Sequence, residues 1–203
     1  MSAPIYLVRH GQSEWNVLRL TQGQTSHPAL TDLGRSQAQA AADVIAADLG
    51  AAQRRPAQLV TSDLLRARQT ADIIAASLGM TVIIDSRLRE QHLGALEGKS
   101  YDETWAAADQ HDWSDPGVPI AGGESPLAVR ERMARALDDL APDQVHIVVS
   151  HGDAIRAAIA RFRGEAAQDA SWLEVANGAV ARVTERIEWL NLPVPAAHQA
   201  LRK

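Results

Sequence analysis

The chain has no cysteine. That absence removes disulfide staples, thiolate zinc sites and cysteine nucleophiles together. Long apolar runs are also missing, and the first residues pass almost at once into a strand-like segment. Neither a signal peptide nor a membrane span is therefore expected, and the reading is a soluble protein, most simply cytoplasmic, with no membrane partner. Positive charge is in deficit, with 20 basic residues against 25 acidic ones and a net charge of −5. This argues against a nucleic-acid surface but leaves room for a local cationic pocket. No internal repeat or low-complexity tract is present. His27, His92, His111, His146 and His198 show no His-x-x-x-His or similar spacing, so no metal is expected.

What is present suffices for a substantial core: 203 residues, 46% of them apolar, read as one domain over 1–190. β-Branched runs predict strands at 4–9, 57–61, 81–85 and 144–150, with a weaker one near 179–185. Helical patterns lie between them. Residues 31–49 carry Thr31 as an N-cap, Ala41, Val44, Ile45 and Leu49 on one face, and Gly50 as a stop. Residues 63–78 follow Ser62 and end at Gly79, with Leu64, Ala67, Ala71, Ile74 and Leu78 inward. Residues 126–140 have Ser125 at the cap and Pro126 at the first helical position, and a further helix spans 153–163. The alternation predicts an α/β fold: a three-layer sandwich, a mostly parallel central sheet with helices on both faces. Residues 98–124 are irregular, rich in aspartate and tryptophan, and read as a lid or subdomain, with Trp105 and Trp113 as its core. The tail 191–203 is expected to be loosely held. Trp and Leu near 187–192, taken as exposed, hint at a homodimer contact.

Two apolar strands end in His-Gly: Leu7-Val8-Arg9-His10-Gly11 and Val148-Val149-Ser150-His151-Gly152. In such sheets ligands sit beyond the carboxyl ends of the strands, so His10 and His151 are expected to meet there. Arg66 falls in the first turn of the helix after the second strand, and Glu90 follows the third. Arginine holds phosphate oxygens bidentately and stays charged, while a neutral imidazole is a competent nucleophile toward phosphorus. The helix starting after Gly152 is expected to add its positive N-terminal end to an anion site.

With these residues in place the chain resembles the histidine phosphatase superfamily, in its phosphoglycerate mutase-like branch. The resemblance is carried by Leu7-Val8-Arg9-His10-Gly11 with Asn16, Gln22-Gly23, Leu30-Thr31 with Gly34, Arg66 with Thr70-Ala71, Glu90 with Gly94, Gly123-Glu124-Ser125, and Ser150-His151-Gly152. It implies that His10 attacks phosphorus and becomes a phosphohistidine. It further implies that Arg9, Arg66 and His151 surround the phosphoryl oxygens, assisted by Asn16 and the Gln22-Gly23 turn. Glu90 would protonate the leaving oxygen and later activate water, with Glu97 as the alternative acid. His92 and Gly152 would line the site. No metal and no cofactor are implied. The chain departs from many relatives at Gln12, where they have Glu, and at Ser26-His27-Pro28-Ala29-Leu30-Thr31, which is longer and lacks an acid.

Three activities fit this pattern: a phosphatase acting on a small-molecule phosphate ester, a cofactor-dependent phosphoglycerate mutase, and a non-catalytic phosphate binder. A mutase must shield its phosphoenzyme and hold a second anion, which calls for a long closing segment with extra cations. Here the Glu90–His151 interval is short and holds only Lys99, Arg130, Arg132 and Arg135 as cations. The phosphatase is therefore preferred.

Overall fold

A computed structural model describes residues 3–53, 55–166 and 173–191. Its elements, in chain order, are β1 (Ile5–Arg9), α1 (Glu14–Val17), α2 (Asp32–Ala51), β2 (Pro56–Thr61), α3 (Leu65–Leu78), β3 (Val82–Ile84), α4 (Tyr101–Ala108), α5 (Pro126–Asp138), β4 (Val145–Ser150), α6 (Gly152–Phe162), β5 (Val180–Val183) and β6 (Ile187–Asn191). The strands form one sheet in the order β3-β2-β4-β1-β5-β6. β1 to β4 are mutually parallel, and β5 and β6 add an antiparallel edge. The α/β sandwich expected from the sequence is the observed architecture.

Period-two alternation divides the core. Tyr6 and Val8 of β1 face one layer with Ala41, Ile45, Ala67 and Ile74 from α2 and α3. Leu7 faces the other, with Met133, Leu137, Ile155 and Ile159 from α5 and α6. Both helix layers are thus bonded through a sheet that is buried on its two faces, and β4 is buried at every position. The register matters most for function. Arg9 pairs with Ser150 across β1 and β4, so the residues that follow, His10 and His151, leave adjacent strands at the same level. Ser62 joins them, its N–H donating to the Val149 carbonyl at 3.1 Å from the end of β2.

Several expectations need correction. Gly50 does not stop α2, which continues to Ala51; the chain turns instead at Gln53, whose φ is 51°. β3 is short, and Ile83 and Ile84 are exposed on the sheet edge. β6, α1 and α4 were not expected at all, and α4 lies inside the 98–124 segment. Trp105 and Trp113 are not the core of that segment: they are 53% and 52% exposed. Trp189 and Leu190, expected from the sequence to be exposed, lie on the edge strand β6 and are partly buried against the two core clusters. Of the 191–203 tail, only Asn191 lies within the described residues. Among these, no helix is long and apolar enough to cross a membrane.

Candidate active site

The chain turns sharply after β1 because Gly11 has no side chain. A Cβ built there would lie 2.1 Å from the carbonyl oxygen of Gly34, which is backbone and cannot yield. The Gly11 N–H donates to Thr70 Oγ1 at 3.1 Å, tying the turn to α3. Gly11→Ala is therefore expected to lower the unfolding free energy by about 3 kcal/mol, the upper range for overpacking, and a denaturant melt measures it. Next, Gln12 accepts from Thr31 Oγ1 at 2.9 Å, so the departure from Glu keeps the bond that anchors the α2 cap. Ser13 caps α1 in a reciprocal box with Asn16.

His10 is buried, and its Nδ1 lies 2.7 Å from the carbonyl oxygen of Gly11. A carbonyl can only accept, so Nδ1 carries the hydrogen and Nε2 keeps a lone pair. The ring centroid of His151 is 5.1 Å from that of His10. Burial first, then the charges of Arg66 and of Arg9, hold the His10 pKa well below the ordinary imidazole value. For His151 the order is burial, Arg66, His10 and Arg9, with the same direction. Both rings are therefore neutral near pH 7.

Arg66 is wholly buried. Its Nη1 and Nη2 each donate at 2.8 Å, to the carbonyls of Thr25 and Gly23, and its Nε is buried without a partner. Burial lowers its pKa to about 10, still cationic. This one side chain organises the 22–29 loop. Leu65 N–H reaches Ser26, Leu30 N–H reaches Gln69, and Gln22 accepts from Ser13 Oγ at 2.8 Å. Arg9 donates through Nη1 to the Val175 carbonyl and also keeps a buried, unpartnered Nε. Two buried guanidinium nitrogens and a buried His151 Nδ1 without partners are the polar atoms an oxyanion would satisfy.

Glu90 stands across this cup. Its Oε1 accepts from the N–H groups of Asp153 at 3.0 Å and Ala154 at 3.1 Å, and the Gln91 N–H donates to it at 3.0 Å. The N-terminus of α6 is thus occupied by Glu90, which corrects the expectation that it stands open to an anion. Desolvation, then Asp153, raise the Glu90 pKa, while Arg156, Arg9 and the Gln91 bond pull it down; the net direction is up. Glu97 does other work. Its Oε1 accepts from the N–H groups of Gln24 at 2.8 Å and Leu93 at 3.1 Å, and a Cβ on Gly23 would collide with it at 2.2 Å.

The structure therefore brings together Arg9, His10, Arg66, Glu90, His151 and Gly152, with Asn16 on α1 and Gln22 and Gly23 in the supporting loop. Asn16 accepts from Ser13 and from Asn177 and donates to the Tyr101 hydroxyl at 3.3 Å. The His92 ring is 44% exposed and lies 3.7 Å from Glu97, the side chain packed against Gly23. Sequence reasoning missed Tyr101, Ser62, Asn177 and the pair Glu124–Arg132. Arg132 donates to both Glu124 oxygens and to the carbonyls of Arg87, Arg89 and Glu90, so it holds the segment that carries Glu90. A buried arginine of this kind has no periodicity signal; Ser62 had one, its place at a strand end. Among the described residues, no three His, Asp or Glu side chains are grouped as metal ligands.

Residues 5–188 match the histidine phosphatase superfamily (branch 1). The chain belongs to this superfamily. Probable phosphoglycerate mutases GpmB of Cronobacter sakazakii and Photorhabdus laumondii are 37% and 35% identical to it, each over 92% of this chain and 87% of their own length. Among solved structures, a mycobacterial glucosyl-3-phosphoglycerate phosphatase complexed with VO3 superposes with a TM-score of 0.77 and 31% identity, covering 92% of this chain and 96% of that one. The phosphoserine phosphatase of Entamoeba histolytica, at 23% identity and TM-score 0.76, shares the fold over 92% of this chain and 94% of its own. This histidine phosphatase is an enzyme of the phosphatase class.

Proposed function

We propose that the chain hydrolyses phosphomonoesters of small metabolites through a phosphohistidine on His10, without a metal. The observation that carries this reading is the hydrogen bond from His10 Nδ1 to the Gly11 carbonyl, which leaves Nε2 as a neutral nucleophile inside a ring of buried cations. In the first step Nε2 attacks phosphorus, the ester P–O bond breaks, and protonated Glu90 gives its proton to the departing oxygen. Arg9, Arg66 and His151 hold the three equatorial oxygens, over which charge is spread in the transition state. In the second step ionised Glu90 takes a proton from water as that water attacks the phosphohistidine, and His10 leaves with the Nε2 lone pair. The raised Glu90 pKa supports a group that alternates between these forms. Phosphate organisation falls to side chains because the α6 terminus is already engaged.

Mutase activity is the second reading, favoured by the names of the GpmB relatives. Two features weigh toward hydrolysis. Lys99, the one Lys or Arg of the short 98–124 segment, pairs with Glu103 at 3.9 Å, and Arg132 on α5 is engaged with Glu124 and three carbonyls, which leaves neither free for a second anion. The segment is proposed to act as the lid that selects the alcohol portion of the substrate. The expected result is turnover of an aryl phosphate that persists in excess chelator and needs no bisphosphoglycerate. Strong bisphosphate-dependent interconversion of phosphoglycerates with negligible hydrolysis would reverse the choice.

A further inference from the structure

Ser62 has no role in the chemistry described so far, yet it is wholly buried at the end of β2 and lies directly behind His151. Its Oγ is 2.9 Å from His151 Nε2. We infer that Ser62 is a positioning residue that locks His151 in the tautomer opposite to that of His10, so that one imidazole offers a lone pair and the other offers an N–H. The inference rests on the reading of the cup as a phosphoryl site.

The argument is one of hydrogen-bond accounting. A hydroxyl has one hydrogen to donate and lone pairs to accept. The Leu64 N–H already donates to Ser62 Oγ at 3.3 Å, which occupies an acceptor position. The neighbouring Thr61 hydroxyl donates to the Ser62 backbone carbonyl at 3.2 Å, and among the described contacts it makes none with Ser62 Oγ. Among the described contacts, the hydrogen on Ser62 Oγ has one acceptor, His151 Nε2. Nε2 must then be unprotonated, and a neutral ring carries its hydrogen on Nδ1. The reverse arrangement, with Nε2–H donating to the hydroxyl, would strand the serine hydrogen in a fully buried position without an acceptor.

His151 Nδ1 is itself buried and has no protein partner. Carrying the hydrogen, it is a donor waiting for an acceptor, 5.1 Å ring to ring from the nucleophile. In the other tautomer it would turn a lone pair toward phosphoryl oxygens and repel them. The two histidines that end β1 and β4 are chemically alike in sequence; their partners make them different. The Gly11 carbonyl exposes Nε2 of His10 as a base, and the Ser62 hydroxyl exposes Nδ1–H of His151 as an acid.

The test is spectroscopic. Protein labelled with 15N-histidine is studied by two-bond 1H–15N correlation at pH 7.5, with the His151 signals assigned by their loss in His151→Gln. The expected result is a neutral ring protonated on Nδ1. A ring protonated on Nε2, or an imidazolium, overturns the inference without any variant of Ser62. In Ser62→Ala the Nδ1–H signature is expected to weaken, kcat for an aryl phosphate to fall about ten- to a hundredfold, and the affinity for vanadate to fall with it. Retention of the tautomer and of kcat in that variant would also overturn it. Failure to trap a phosphohistidine on the wild-type protein counts against the His10 chemistry instead, and the tautomer measurement reads separately from that outcome.

Discussion

His10→Ala is expected to lose about 10⁴-fold or more in aryl phosphate turnover, the scale seen when a covalent nucleophile is removed. Acid-labile, alkali-stable phosphate should appear on the wild-type protein during turnover and be absent from the variant. The reason lies in how little else the cup can do. Arg9, Arg66 and His151 neutralise and orient the phosphoryl group but supply no electron pair, and both histidines are held neutral by burial and by the arginines. Loss of the ring also removes the Nδ1 bond to Gly11, while the backbone bonds from His10 N–H to Ser150 and from Gly178 to the His10 carbonyl remain, so the fold should persist. Labelled phosphate found undiminished on the variant would take the nucleophile's role away from His10.

Glu90→Gln should divide substrates by leaving group. Alkyl phosphates, whose departing oxygen needs a proton, should slow by about 10²–10³-fold, within the range for a lost general acid, while aryl phosphates lose far less in the first step. The pH profile carries the same information with its sign. Activity requires neutral His10, so the acid limb falls below the ordinary imidazole range. It also requires protonated Glu90, so activity declines as pH rises through a pKa displaced upward from the usual carboxylate value. Gln is permanently neutral, and in the variant that alkaline limb should vanish. Stability should move the other way. A carboxyl whose folded pKa is raised contributes its full stability below the unfolded pKa and loses it as pH rises through the folded one. Glu90→Gln removes that loss, so Tm at pH 7.5 should rise relative to wild type, provided the amide oxygen keeps the α6 N–H bonds. Equal rate losses on alkyl and aryl esters would count against the acid role.

Much of this was legible because the relevant signals are local. The β-branched runs announced β1, β2 and β4, and Arg-His-Gly and Ser-His-Gly stood where parallel strands end. The cup then follows from register, since Arg9 opposite Ser150 makes the meeting of His10 and His151 unavoidable. What escaped is non-local. Arg132 lies far along the chain from Glu90 and acts through carbonyls, which no side-chain pattern encodes. Asn177 and Gly178 reach back to the His10 carbonyl from a stretch without periodicity. α4 was hidden because only its cap, Ser100 with Glu103, is distinctive in an otherwise irregular segment. The fate of the α6 terminus was misjudged for a similar reason: an exposed helix end and one filled by a distant carboxylate look the same in sequence.

The close packing of residues 94–95 against 121–123 has a consequence for how such enzymes diversify. Ala95 N–H bonds the Ala121 carbonyl at 3.0 Å, and Gly94 and Gly123 approach so closely that neither tolerates a Cβ. The first part of the stretch between them is held to the body again: Gly98 and Lys99 bond Thr21, Tyr101 bonds Arg19 and Asn16, and Glu97 bonds Gln24. Lengthening a loop whose ends are already joined costs only about 0.6 kcal/mol per doubling. Among the described residues, 109–115 hydrogen-bond only within the segment itself, so chain can be added or cut there, beyond α4, with little strain reaching His10 or Glu90. The outer part of the segment is thus an exchangeable cassette, and transplanting one from a relative beyond α4 tests whether this segment selects the alcohol portion of the substrate.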